Sequence, residues 1–92
     1  MENEKNNVYR YKNLSHQYII SFSDTKEKLS LNQLNDLKEK YAPEIYDLSI
    51  SYDKKELVFK APCETDYAII KRFISIATPT YNNIQKTGYY KK

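Results

Sequence analysis

Glycine occurs once in this sequence, at Gly88, and that scarcity removes a class of chemistry. Loops that cradle phosphates need glycines so that the backbone can approach the anion closely. A nucleotide-binding loop is therefore excluded. Cysteine and histidine are equally scarce, with Cys63 and His16 each standing alone. One of each leaves no intrachain disulfide and no Cys/His zinc site. The first 20 residues hold no apolar run of the length a signal peptide or a membrane span requires. With an unpaired cysteine, which suits a reducing compartment, this leads to the expectation of a cytoplasmic protein without membrane association.

The chain has 92 residues, room for one core and no second domain. A domain this small hides only about 60–65% of the surface of its unfolded chain. With disulfide and zinc site gone, its stability must come from close packing, aromatic side chains or self-association. Ten tyrosines and three phenylalanines are available for this. Lysine, tyrosine, isoleucine and asparagine, all with AT-rich codons, supply 40 of the 92 residues, so part of the Lys/Tyr enrichment needs no functional cause. The net charge of +3 is uneven: residues 1–14 sum to +1, residues 15–79 to −1 and residues 80–92 to +3. The body is near neutral and the basic excess sits at the ends.

Three stretches follow. Residues 1–14 are a polar segment with the option of an edge strand, 15–79 a single α+β domain, and 80–92 a basic, tyrosine-rich tail or last strand. Within the domain, residues 18–23 alternate as a strand, with Tyr18, Ile20 and Phe22 on one side and Ile19, Ser21 and Ser23 on the other. Ser30 with Gln33 reads as a capping box, opening a helix to about Tyr41 that buries Leu31, Leu34, Leu37 and Tyr41. Pro43 ends it. Residues 45–61 read as a hairpin with a loop at 53–56, which sets Tyr52 against Leu57, Ile50 against Phe59 and Leu48 against Ala61. The reverse side then carries Ser49, Ser51, Glu56, Val58 and Lys60. A second helix, capped near Thr65 or Asp66, buries Ile69, Ile70, Phe73, Ile74 and Ala77 and stops before Pro79. The expected fold is a small antiparallel sheet with two helices on one face, in the order β-α-β-β-α. It becomes ferredoxin-like if residues 84–90 add a strand.

Catalytic groups are few. A Cys63/His16 nucleophile pair needs an orienting third group and a lowered thiol pKa. Cys63 lies just before a helix N-terminus, where the macrodipole favours a thiolate, but nothing in the sequence brings His16 to it. The expectation is a half-buried turn residue. Glu64 and Asp66 sit where acids stabilise a helix start, Asp53 and Glu56 in the hairpin loop, Asp24 and Glu27 in a linker. No catalytic residue, cofactor, metal or small-molecule substrate is expected.

Two surfaces remain as binding candidates. One is the pair of basic aromatic ends, Tyr9, Arg10, Tyr11 and Lys12 with Lys86, Tyr89, Tyr90, Lys91 and Lys92, where cations beside rings suit single-stranded nucleic acid. Five or so cations beside a neutral body support only weak, salt-sensitive association. The other is the sheet face away from the helices, made of Ile19, Ser21, Ser49, Ser51, Val58 and Lys60. RNA-recognition motifs share the β-α-β-β-α-β order and stack bases on aromatics of that open face. Here Tyr18, Phe22, Tyr52 and Phe59 fall on the core side, leaving no ring there. An uncharged, flat sheet surface suits another protein or a second copy. The expected function is a non-catalytic protein-interaction module, homodimeric or a stoichiometric binder or inhibitor of another protein. A small inhibitor or adaptor of viral or mobile-element origin fits this size and composition. Weak nucleic-acid binding through the ends is the alternative.

Overall fold

The computed structural model describes residues 14–91, with side chains as far as position 88. Six elements follow in the order β1 (Leu14–Phe22), α1 (Leu31–Tyr41), β2 (Tyr46–Ser51), β3 (Glu56–Pro62), α2 (Tyr67–Ala77) and β4 (Tyr81–Lys91). The sheet runs β2-β3-β1-β4, with every neighbouring pair antiparallel. The C-terminal residues thus form a fourth strand, and the arrangement is ferredoxin-like, with two helices on one face of the sheet. Among the described residues no helix is long and apolar enough to cross a membrane.

Local chemistry explains the helix starts. The Ser30 hydroxyl accepts from the Gln33 amide at 3.2 Å, and the Gln33 side chain accepts from the Ser30 amide at 2.8 Å. These two bonds satisfy donors that the first helical turn leaves orphaned. Asp66 does the same for α2, accepting from the Ala68 amide at 2.9 Å. The core is built from alternate strand residues and one stripe of each helix. Ile20, Leu57, Phe59, Leu34, Ile70, Phe73 and Ile74 are all fully buried. Phe59 holds its centre, tilted against Tyr18 at 5.4 Å and edge-on to Phe73 at 5.7 Å.

Two helix positions depart from the expected stripe. Leu31 is 50% exposed and Ile69 is 42% exposed. Each helix has 11 residues, and only one narrow side of so short a helix can touch the sheet. In α1 Leu34 is buried while Leu37 and Tyr41 are half-buried. In α2 the stripe of Ile70, Phe73, Ile74 and Ala77 is complete without Ile69.

The hairpin register also differs from the expected one. Ser51 pairs with Glu56, Ile50 with Leu57 and Ser49 with Val58, so the loop is residues 52–55 and the shift is two positions. Glu56 is accordingly the first residue of β3 and not a loop residue. A shift of two keeps every side chain on its own face, so alternation cannot detect it. Tertiary bonds decide it. The Tyr52 hydroxyl accepts from the Leu29 amide at 2.6 Å and donates to the Leu29 carbonyl at 3.1 Å, and its ring packs edge-on to Phe22 at 5.8 Å. Lys55 adopts the left-handed φ of 56° that closes the loop, and the Lys54 amide donates to the Ser51 hydroxyl at 3.2 Å.

Candidate interaction face

The helices cover one side of the sheet, and alternation puts the six expected face residues on the other. Read across the strands, one row is Ser49, Val58, Ile19 and Gln85, and the next is Ser51, Glu56, Ser21 and Asn83. Ile19 and Val58 are therefore neighbours at the centre, half-buried by the rows beside them, while Ser49 is exposed. A third row begins with Lys60 and Gln17. The structure thus brings Ile19, Ser21, Ser49, Ser51, Val58 and Lys60 together on one surface. The amides Gln17, Asn83 and Gln85 and the carboxylate Glu56 join them.

One residue of this face escapes a reading by alternation alone. Between Tyr46↔Lys60 and Ser49↔Val58, β2 advances three residues while β3 advances two. The extra residue is a β-bulge, and Asp47 takes the left-handed φ of 54° that it requires. Aspartate tolerates this conformation better than most residues. The bulge inverts the alternation upstream, so Ile45 turns into the core at 1% exposure and Tyr46 turns onto the open face. The Tyr46 hydroxyl then donates to the Ser15 hydroxyl at 2.7 Å. Ser15 is on β1, beyond β3, so the ring must lie across β3 to reach it. The expectation that no ring lies on this face is corrected. Two signs in the sequence pointed to it: Ile45 is apolar and out of phase with Leu48 and Ile50, and an aspartate stands between.

The charges of the face are sparse. Lys60 lies 3.4 Å from Asp47, whose side chain is 63% exposed. An ion pair so solvated adds little stability. Glu56 stands four residues from Lys60 on the same strand and the same side.

The other sequence candidates lie partly outside the described residues and partly along β4. Tyr9, Arg10, Tyr11, Lys12 and Lys92 lie outside the described residues. Lys86 pairs with Tyr18 in register, on the helix side of the sheet, and its charge acts on Cys63. Tyr89, Tyr90 and Lys91 extend β4 opposite His16, Ser15 and Leu14.

Cys63 and His16 are closer in the fold than the sequence implied. The Cys63 amide donates to the Leu14 carbonyl at 3.0 Å, two residues from His16 along β1. The His16 ring stands 6.5 Å from that of Tyr18, and its Nδ1 is 3.2 Å from the Thr87 carbonyl. The thiol is not activated. Burial and then the Glu64 carboxylate push its pKa up, outweighing the downward pull of Lys86. Tyr18 is likewise pushed up, first by burial and then by Tyr67 and Cys63. Among the described residues no group of three His, Cys, Asp or Glu side chains is placed to hold a metal.

Comparison with protein-family models, curated proteins and solved structures finds no match to this chain.

Proposed function

We propose that the protein works without catalysis, as a small module that binds protein through its open sheet face. A single observation carries this reading: the Tyr46 ring is tied across the sheet by its bond to Ser15, on the same face as the apolar pair Ile19 and Val58 and separated from it by the row of Lys60 and Gln17. A tyrosine held in place loses little side-chain freedom on binding, and buried tyrosines are enriched among the residues that dominate interfaces. The serines and amides of the face can hydrogen-bond a partner. A reducing, cytoplasmic setting accords with Cys63 as a lone thiol.

The test compares two variants against extract from the source cells. Ser49→Arg with Ser21→Glu puts opposite charges into the face and leaves the core untouched. Lys86→Ser with Lys91→Ser and Lys92→Ser removes the basic end. A protein retained by the wild type and by the lysine variant, and lost by the face variant, is the expected result. The reading fails if the face variant keeps every partner. Binding of a labelled single-stranded oligonucleotide that falls steeply with salt and disappears with the three lysines supports the nucleic-acid alternative.

A further inference from the structure

The occupant of the open face can be narrowed from its charge pattern, on the footing that this face is the binding surface. We infer that it is a second copy of this chain, packed sheet to sheet about a two-fold axis that crosses the strands over Val58.

The face has an internal symmetry that such an axis uses. Glu56 and Lys60 flank Val58 on β3, each two residues away, or about 7 Å at the usual strand rise. Rotation about an axis perpendicular to the strands reverses the strand direction of the second copy. Lys60 then lies over Glu56 of the partner subunit, and Glu56 over the partner's Lys60. The row that contains Val58 and Ile19 maps onto itself, so the apolar centre meets an apolar centre. Rotation about the strand direction instead would set Lys60 on Lys60 and Glu56 on Glu56, and like charges so placed disfavour that docking. An isologous contact requires this kind of self-complementarity, which a surface shaped for an unrelated partner does not need. Lys60 has Asp47 at 3.4 Å among its partners, and an ammonium with three donors can serve more than one carboxylate.

The size of the face sets the strength. Four strands at about 4.8 Å spacing and about five residues of length give a flat area of roughly 300 Å². A standard stable interface buries about 800 Å² per partner. The dimer is therefore weak.

Sedimentation velocity of the full chain from about 10 µM to about 1 mM tests this, with an amide NMR spectrum of each variant to show that it is folded. The wild type is expected to associate across that range. Glu56→Lys alone and Lys60→Glu alone are each expected to associate at least tenfold more weakly, because each places like charges at both contacts. An equimolar mixture of the two restores both attractions and is expected to associate as well as the wild type. A wild type that stays monomeric at 1 mM, single variants that associate like the wild type, or a mixture no better than its components would each overturn the inference. A monomeric wild type leaves the protein-binding reading standing, because that reading depends on loss of a cellular partner by the Ser49→Arg and Ser21→Glu variant.

Discussion

Replacing Tyr46 by phenylalanine removes one oxygen and keeps the ring, and so isolates the bond that holds the ring across the sheet. Its partner, the Ser15 hydroxyl, is fully buried and accepts from Tyr46 at 2.7 Å. A net hydrogen bond is worth about 1 kcal/mol, and a buried hydroxyl left unpaired costs about 1–3 kcal/mol. Packing changes little, so Tyr46→Phe should destabilise the fold by about 1–2 kcal/mol. At roughly 4–8 °C per kcal/mol for a domain of this size, the fall in Tm is easily measured. Ser15→Ala removes the buried hydroxyl itself, and Tyr46, half-buried, can turn to water. The double variant exchanges both polar groups for apolar ones, which can be nearly neutral. The two effects should therefore fall short of additive by about 1 kcal/mol in a double-mutant cycle. Urea unfolding followed by circular dichroism measures all four corners. Singles that add to within about 0.3 kcal/mol, or a Tyr46→Phe variant as stable as the wild type, would mean that the ring is not tied down. The interaction face would then lose its rigid anchor.

Phe59→Ala empties the centre of the core between Tyr18 and Phe73. It should cost about 3–5 kcal/mol, enough to leave a domain of this size largely unfolded at 25 °C by circular dichroism. The neighbouring pair Ile69 and Ile70 should separate cleanly. Ile70→Ala, fully buried, should cost about 2–5 kcal/mol, and Ile69→Ser, 42% exposed, about 0.5 kcal/mol or less by urea unfolding. Cys63 should react with iodoacetamide more slowly than free cysteine at neutral pH, since burial and Glu64 hold it protonated; a faster reaction would contradict the geometry around it. Folded-state pKa values raised above 9.0 for Cys63 and 10.0 for Tyr18 mean that the folded chain keeps protons the unfolded chain has lost. Their contribution to stability is complete below pH 9 and should decline as pH rises through the folded-state values, in a thermal-melting series from pH 8 to 11.

What the sequence made legible was whatever depends on neighbours along the chain. The Ser30–Gln33 capping box needs four residues and was read correctly from them. The cap of α2 was narrowed to Thr65 or Asp66, of which Asp66 forms it, and the buried sides of β1 and β3 follow the alternation. The register of the hairpin was not legible because alternation repeats every two residues, and a two-residue shift satisfies it equally well. The deciding contacts, Tyr52 to Leu29 and Phe22, span 23 and 30 positions. Leu31 and Ile69 were placed in the core because a wide apolar stripe on a helical wheel does not say how much of it the sheet reaches. The six face residues came together because all lie on stretches where the period of two is unbroken. Tyr46 lies where it breaks.

That break joins the core to the surface. Without the bulge at Asp47, the period running back from Ile50 through Leu48 would carry Tyr46 into the core and Ile45 out to water. The left-handed residue reverses this in one step: an isoleucine fills the interior, and a tyrosine comes to lie on the open side within reach of Ser15. A non-glycine residue in that conformation is strained by roughly 1–2 kcal/mol, less for aspartate. Exchanging Tyr46 for Ile45 in the core offsets part of this, because an unpaired buried tyrosine hydroxyl would cost about 1–3 kcal/mol. The tyrosine it places outside is bonded to Ser15 within the chain itself, so on the proposed reading a partner would meet a prepared surface.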